Sequence, residues 1–123
     1  MLDINNDELL ALHRYIIETK FSVNAKEIAF SPLLSQIANK VLDSIIADTA
    51  KQDSNAAVQW KNWRVLTKTR PEWNFVKEKI SQEKYWSNLK SHEKINHLRI
   101  IASPYIIPDE MIREIVYGEM DEL

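Results

Sequence analysis

Apolar side chains recur every three or four positions along most of this chain, which is the spacing of amphipathic α-helices. The clearest stripe follows Ser31-Pro32 and consists of Leu34, Ile37, Ala38, Val41, Leu42 and Ile45. Serine is a favoured N-cap, and proline is tolerated at the first helical position because its missing N–H costs no hydrogen bond there. The pattern predicts a helix over about residues 31–50, and we expect it to be the hub of the core.

Another helix is predicted near the N-terminus. Asn5 can cap it and Glu8, three residues later, can complete a capping box. His13 lies inside the apolar face of this helix, which should end near Lys20 or Phe21. A histidine in such a position is typical of a packed residue at the edge of a core, although it is also a candidate catalytic base.

Four more helices are predicted at about residues 55–67, 70–81, 91–103 and 108–118. Thr69 and Glu72 have the spacing of a capping box before the second of these, and Gly118 is suited to stop the last one. The stretch between Ser81 and Ser91 contains neither glycine nor proline. We interpret it as a further short helical piece, because one helix from 72 to 103 would be too long for a small domain.

The composition supports an all-α fold. One glycine, four prolines and no cysteine occur in 123 residues, whereas β-rich domains need several glycines for their turns. We therefore predict one domain over residues 1–123, built from about six short helices at mixed crossing angles, with a frayed tail at about 119–123.

No apolar run approaches the length of a membrane span. With an acidic, polar start and no cysteine, the expected location is the cytoplasm.

Charge is segregated along the chain. Residues 1–60 hold five Lys/Arg against eight Asp/Glu, residues 61–99 hold ten against four, and residues 100–123 hold one against six. The middle segment is therefore basic between two acidic ones. Either the basic and acidic segments pack beside each other, or the middle segment presents a basic surface to an anionic partner.

Motifs for catalysis, metal binding or cofactor binding are lacking in this sequence. His92, Glu93 and His97 resemble a zinc motif, but histidines five residues apart differ by about 140° around a helix and do not converge on one ion. No glycine-rich loop is available to hold a phosphate, and no nucleophile elbow is present. The prediction is a protein that is not an enzyme, with no metal and no cofactor.

Three of the four tryptophans fall in the basic middle segment, and the fourth, Trp60, directly precedes it. Tryptophan and arginine are enriched at binding hot spots, so the candidate partner-binding residues are Trp60, Trp63, Arg64, Arg70, Trp73 and Trp86. The same residues at helical spacing would also suit a core, so each of them is a candidate only where its side chain is exposed. The leading hypothesis is a small regulator, adaptor or inhibitor that binds another protein.

The alternative hypothesis is a regulator that binds nucleic acid through the basic, tryptophan-rich segment 60–99. Residues 70–101 could form a loose helix-turn-helix, although the turn lacks its frequent glycine. Self-association into a homodimer also stays open. For that contact, the connection Tyr105-Ile106-Ile107 is the apolar stretch that we expect to be most exposed.

Overall fold

The computed structural model describes residues 3–22 and 26–118, and within them it confirms the predicted all-α fold. Six α-helices are present in the described part: α1 (Asn6–Lys20), α2 (Pro32–Gln52), α3 (Ser54–Arg64), α4 (Pro71–Ser81), α5 (Ser91–Ala102) and α6 (Asp109–Tyr117). Two short 3-10 turns, Lys26–Phe30 and Trp86–Asn88, lie between helices. The predicted tail at 119–123 lies outside the described residues.

The predicted starts of α1 and α2 are confirmed atom by atom. The Asn5 side chain accepts a hydrogen bond from the Glu8 N–H, and the Glu8 carboxylate accepts one from the Asn5 N–H. The Ser31 hydroxyl likewise accepts from the Leu34 N–H at the start of α2. These caps satisfy backbone donors that a helix start leaves without an internal partner.

Two of the predicted boundaries are wrong. Thr69 does not cap α4, because Arg70 occupies the N-cap position without a side-chain hydrogen bond and the Glu72 carboxylate accepts from Tyr105 instead. Residues 82–90 do not form an α-helical piece but contain only the 3-10 turn at Trp86–Asn88. This nine-residue connection also departs from the three- to four-residue turn of a helix-turn-helix.

Helix α2 is the hub that the sequence predicts, since it packs against α1, α3 and α5. Its buried residues are Ser35, Ala38, Val41, Leu42 and Ile45. Ile37, predicted for the core face, is instead 48% exposed. It lies about 100° around the helix from Ala38, which turns it away from the buried face of α2.

The core has two parts. The first joins α1 to α2 around Leu42 and Ile45, and the second joins α4, α5 and α6 around Trp73, Val76 and Leu98. The connection after α5 contributes to the second part, because Tyr105 and Ile107 are buried there and only Ile106 between them is exposed. The expectation that the whole Tyr105–Ile107 stretch is exposed is therefore wrong for two of its three residues.

Candidate functional site

Trp73 belongs to the core and not to a binding surface. Its side chain is 2% exposed within the second part of the core, so a partner cannot reach it in this fold. This corrects its place among the candidate partner-binding residues. The physical reason is that Trp73, Val76 and Ile80 share one face of α4, and that face is turned inward.

Trp60 and Trp63 form an aromatic cluster with His13. The three rings meet edge to face, with centroids 5.4–5.5 Å apart. His13 is 7% exposed, and burial, together with the positive charges of Arg14 and Arg64, lowers the pKa of its imidazole. A neutral ring between two indoles is a packing element, which agrees with the core-edge interpretation.

Trp63 also connects the two parts of the core, since it packs against both. Arg70 holds it in place: the guanidinium lies 5.2 Å from the Trp63 ring centroid and 4.8 Å from that of Tyr105. The same arginine donates a hydrogen bond to the Trp63 carbonyl oxygen and lies 3.5 Å from a Glu72 carboxylate oxygen. The side chain of Arg70 is thus committed inside the fold and is not free to recognise a partner.

Arg64 has a similar structural role. Its guanidinium donates to the Pro104 carbonyl oxygen at 2.7 Å, to the Asp43 carboxylate at 2.6 Å and to the Asn39 amide oxygen at 3.1 Å. Arg64 therefore joins α3 to α2 and to the connection after α5. With Trp63, Arg70 and Trp73, it is the fourth candidate whose side chain the fold engages.

Lys20 is a structural residue that the sequence pattern did not reveal. Its side chain is fully buried, and its ammonium group donates to the carbonyl oxygens of Ile100, Ile101 and Ser103 at 2.5–2.8 Å. The first of these oxygens lacks a helical donor because residue 104 is proline, which has no N–H. A cation at a helix C-terminus is also favoured by the helix dipole.

The buried Lys20 makes stability depend on pH. Burial lowers the pKa of Lys20 from 10.5 to about 7, so between these values the unfolded chain holds a proton that the folded chain has released. The free energy of unfolding should therefore rise from pH 7 toward pH 10.5, by at most about 1.4 kcal/mol per pH unit. Urea denaturation at pH 7, 8 and 9 measures this rise. A Lys20→Met variant should lack it, and equal slopes in the two proteins would contradict the assignment.

Depressions flank α3 on both sides. The tryptophan depression, of about 420 Å³, is lined by Ala56, Gln59, Trp60 and Trp63. The α2–α3 groove, of about 620 Å³, is lined by Asp43, Ile46, Ala47, Ala50, Lys61, Asn62, Arg64, Val65 and Ile106. Both volumes lie in the range of ligand-binding pockets, although these two are open to solvent.

The α2–α3 groove ends at a short backbone pairing. Ile106 donates to the Arg64 carbonyl oxygen at 2.8 Å, and Leu66 donates to the Ile106 carbonyl oxygen at 2.9 Å. This parallel bridge turns Leu66 into the core, where it is 1% exposed, and leaves Val65 and Ile106 39% and 52% exposed. Two aliphatic side chains thus stand side by side in solvent at one end of the groove.

Trp86 is half-buried at another place, beside the C-terminal end of α4. The Lys94 ammonium lies 5.5 Å from the centroid of its ring. On its open side Trp86 lines a depression of about 430 Å³ together with Lys77 and Ile115. Of the candidate tryptophans, Trp60 and Trp86 are therefore the two that border solvent-filled space without joining the two parts of the core.

The basic segment 61–99 is only partly paired with the acidic segments. Arg64 pairs with Asp43, and Lys68 pairs with Glu114, so this segment is linked to both of the acidic ones. Seven of its basic residues form no ion pair within residues 3–22 and 26–118: Lys61, Lys77, Lys79, Lys84, Lys90, Lys94 and Arg99. The ion pairs agree with packing of basic beside acidic segments for part of the segment, and a basic surface for an anionic partner stays a prediction.

Neither a metal centre nor a membrane span is found in the described part of the chain. No three His, Cys, Asp or Glu side chains there lie close enough to hold a metal ion. His97 instead makes a contact of 3.1 Å between its Nδ1 and the Glu93 carbonyl oxygen. None of the described helices is both long and apolar enough to cross a bilayer.

Comparison of the chain with protein-family models, with curated proteins and with solved structures gives no match.

Proposed function

We propose that this protein acts as a non-catalytic recognition protein that binds another protein through the surface around α3. The observation that carries the proposal is the α2–α3 groove, where Val65 and Ile106 are exposed beside the aliphatic side chain of Ile46. An apolar patch with a polar rim is typical of protein interaction sites. The tryptophan depression on the other side of α3 extends this surface and contributes Trp60, a residue type enriched at hot spots.

The groove also indicates which chemistry the partner should present. Its apolar part suits one or two branched aliphatic side chains. Lys61 at its rim is exposed and has no ion pair among the described residues, while Arg64 is already paired with Asp43. A partner segment that carries an acidic residue next to its aliphatic side chains would complement both features.

A catalytic role is not favoured by His13 or Lys20, the side chains in which burial lowers the pKa. His13 and Lys20 are both buried, and each is engaged in packing or in hydrogen bonds to backbone carbonyls. General acid–base catalysis needs a group within reach of a substrate. These two side chains support the fold that positions α3.

The proposal predicts that filling the groove abolishes partner binding. Ala47 is exposed and lines the groove, so Ala47→Arg should occupy it without disturbing the core. Gln36→Arg is the matched control, because residue 36 is exposed on the same side of α2, three turns away. The measurement is affinity capture from an extract of the source organism, with wild-type protein and each variant as bait, followed by mass spectrometry.

A protein captured by the wild type and by Gln36→Arg, but lost with Ala47→Arg, would support the proposal. Direct titration of the purified partner should then show at least tenfold weaker binding to Ala47→Arg. Capture that is equal with all three baits would contradict the groove as the site. Recovery of only a second copy of this chain would replace the proposed partner with a homodimer.

Nucleic-acid binding is a second candidate function, favoured by the lysines of segment 61–99 that have no ion pair. Of these lysines Lys61 belongs to α3, and the others lie on α4, on α5 and in the connection between them.

A further inference from the structure

The connection between α4 and α5 combines an exposed aromatic ring with unpaired positive charge. Tyr85 is 68% exposed, which makes it one of the most exposed large hydrophobic residues in the described ranges. Lys84 precedes it and Trp86 follows it in the chain. Neither Lys77 nor Lys84 takes part in an ion pair within the described ranges, and both side chains are exposed.

Contacts bring residues from three elements to this place. Trp86 shares the 430 Å³ depression with Lys77 and Ile80 of α4 and with Ile115 of α6. The ammonium group of Lys94, on α5, lies 5.5 Å from the centroid of the Trp86 ring. The result is a concave surface with the Trp86 ring and lysines from two helices, and Tyr85, whose ring is exposed, directly precedes Trp86 in the chain.

We propose that the surface formed by Lys77, Lys84, Tyr85, Trp86 and Lys94 binds single-stranded nucleic acid. Aromatic rings flanked by lysines suit a strand whose bases are unstacked, because each base has a face to stack on a ring and each phosphate attracts an ammonium group. The inference does not depend on the proposed binding of a protein at α3, since no residue is shared between the two surfaces.

A single strand fits this surface better than a duplex does. Tyr85 can stack only on a base whose face is free, and bases inside a duplex are covered by their neighbours. The nine-residue connection is also not the turn of a helix-turn-helix, so α5 is not presented as a recognition helix. Glu83 lines the depression near Trp86, and its carboxylate would direct the phosphates toward the lysines.

The proposal predicts measurable binding to short single strands at low salt. The probes are fluorescein-labelled 12-nucleotide single strands, one of RNA and one of DNA, with a 12-base-pair duplex and polyglutamate as comparison polyanions. Fluorescence anisotropy is recorded with the full-length protein at several salt concentrations. Three phosphate contacts predict that log K falls with log salt with a slope of about −2.

Two variants separate stacking from charge. Tyr85→Ala should weaken binding at least about fivefold, which is the lower end of the effect of losing one stacked base. Tyr15→Ala is the matched control, because Tyr15 lies on α1 and is 66% exposed; it should bind as the wild type does. Lys84→Gln should weaken binding and reduce the salt slope by about 0.7.

A preference for either single strand over the duplex and polyglutamate, with loss of affinity in Tyr85→Ala, would establish the site. The RNA and DNA arms then identify which strand it prefers. Absence of binding at low salt would overturn the proposal. Binding that is equal for all polyanions and unchanged in Tyr85→Ala would overturn it too, since charge alone would explain the result.

Discussion

Replacing Lys20 with methionine is expected to lower the free energy of unfolding by about 3 kcal/mol at pH 9. At pH 9 the neutral amine of Lys20 has two N–H groups, so two of the carbonyl oxygens of Ile100, Ile101 and Ser103 would lose a donor, and each unsatisfied buried polar group costs about 1–3 kcal/mol. Methionine keeps most of the apolar stem, so the loss reports on hydrogen bonds and not on a cavity. The Tyr105 N–H cannot substitute for the lysine, because it already donates to the Ala102 carbonyl oxygen.

The loss should be smaller near pH 7, where burying the positive charge of Lys20 costs the wild type more. Urea denaturation followed by circular dichroism provides the measurement. Lys40→Met is the control, since Lys40 is exposed on the neighbouring helix α2 and its replacement should change stability by no more than about 0.5 kcal/mol. If both variants were equally stable at pH 9, Lys20 would not hold the end of α5.

Replacing Trp73 with alanine should cost about 3–5 kcal/mol, the range for removing a fully buried aromatic side chain. Such a loss would leave a small domain with little stability. Trp60→Ala should cost less, because Trp60 is only partly buried and lines an open depression. Thermal and urea unfolding of the two variants test the contrast.

The two tryptophans should also differ in function. Trp73→Phe keeps a buried ring and should leave partner capture at the wild-type level, whereas Trp60→Ala should weaken it. The opposite result would be a stable Trp73→Ala protein that no longer captures its partner. It would identify Trp73 as a partner-binding residue and contradict its burial.

Local signals in the sequence were sufficient for most of the fold. Caps such as Asn5 and Ser31 lie within three residues of the groups they satisfy, so their role can be derived from the sequence alone. Thr69 failed as a cap because Pro71 keeps Arg70 extended, at φ −78° and ψ 140°, so Arg70 and not Thr69 occupies the N-cap position. Glu72, the expected partner of Thr69, accepts a hydrogen bond from Tyr105 instead, 33 residues further along the chain. Long-range competition of this kind is not visible in a capping pattern.

The candidate site was harder to predict for the same reason. Trp60 and Trp73 both lie at helical spacing from other apolar residues, and only the packing of the helices makes one of them open and the other buried. Arg64 and Arg70 read as exposed charges in the sequence, yet Pro104 and Trp63 accept their hydrogen bonds through backbone carbonyls. Every residue has a backbone carbonyl oxygen, so the sequence does not indicate which of them accepts a hydrogen bond from an arginine.

Lys20 illustrates the limit most clearly. As the last residue of a polar helix end it looks like a solvated cation, and the acceptors of its ammonium lie 80 to 83 residues away. The missing N–H of Pro104 was a usable signal, because it predicts that the Ile100 carbonyl oxygen has no helical donor. It could not say which side chain would supply that donor.

Site-specific photo-crosslinking in cells of the source organism would test partner binding at α3 at the level of a single residue. A benzophenone amino acid at position 47 should form a covalent adduct with another protein, and the same group at position 36 should form none. Adducts from position 36 alone, adducts from both positions in equal amount, or no adduct from position 47 would contradict binding in the α2–α3 groove.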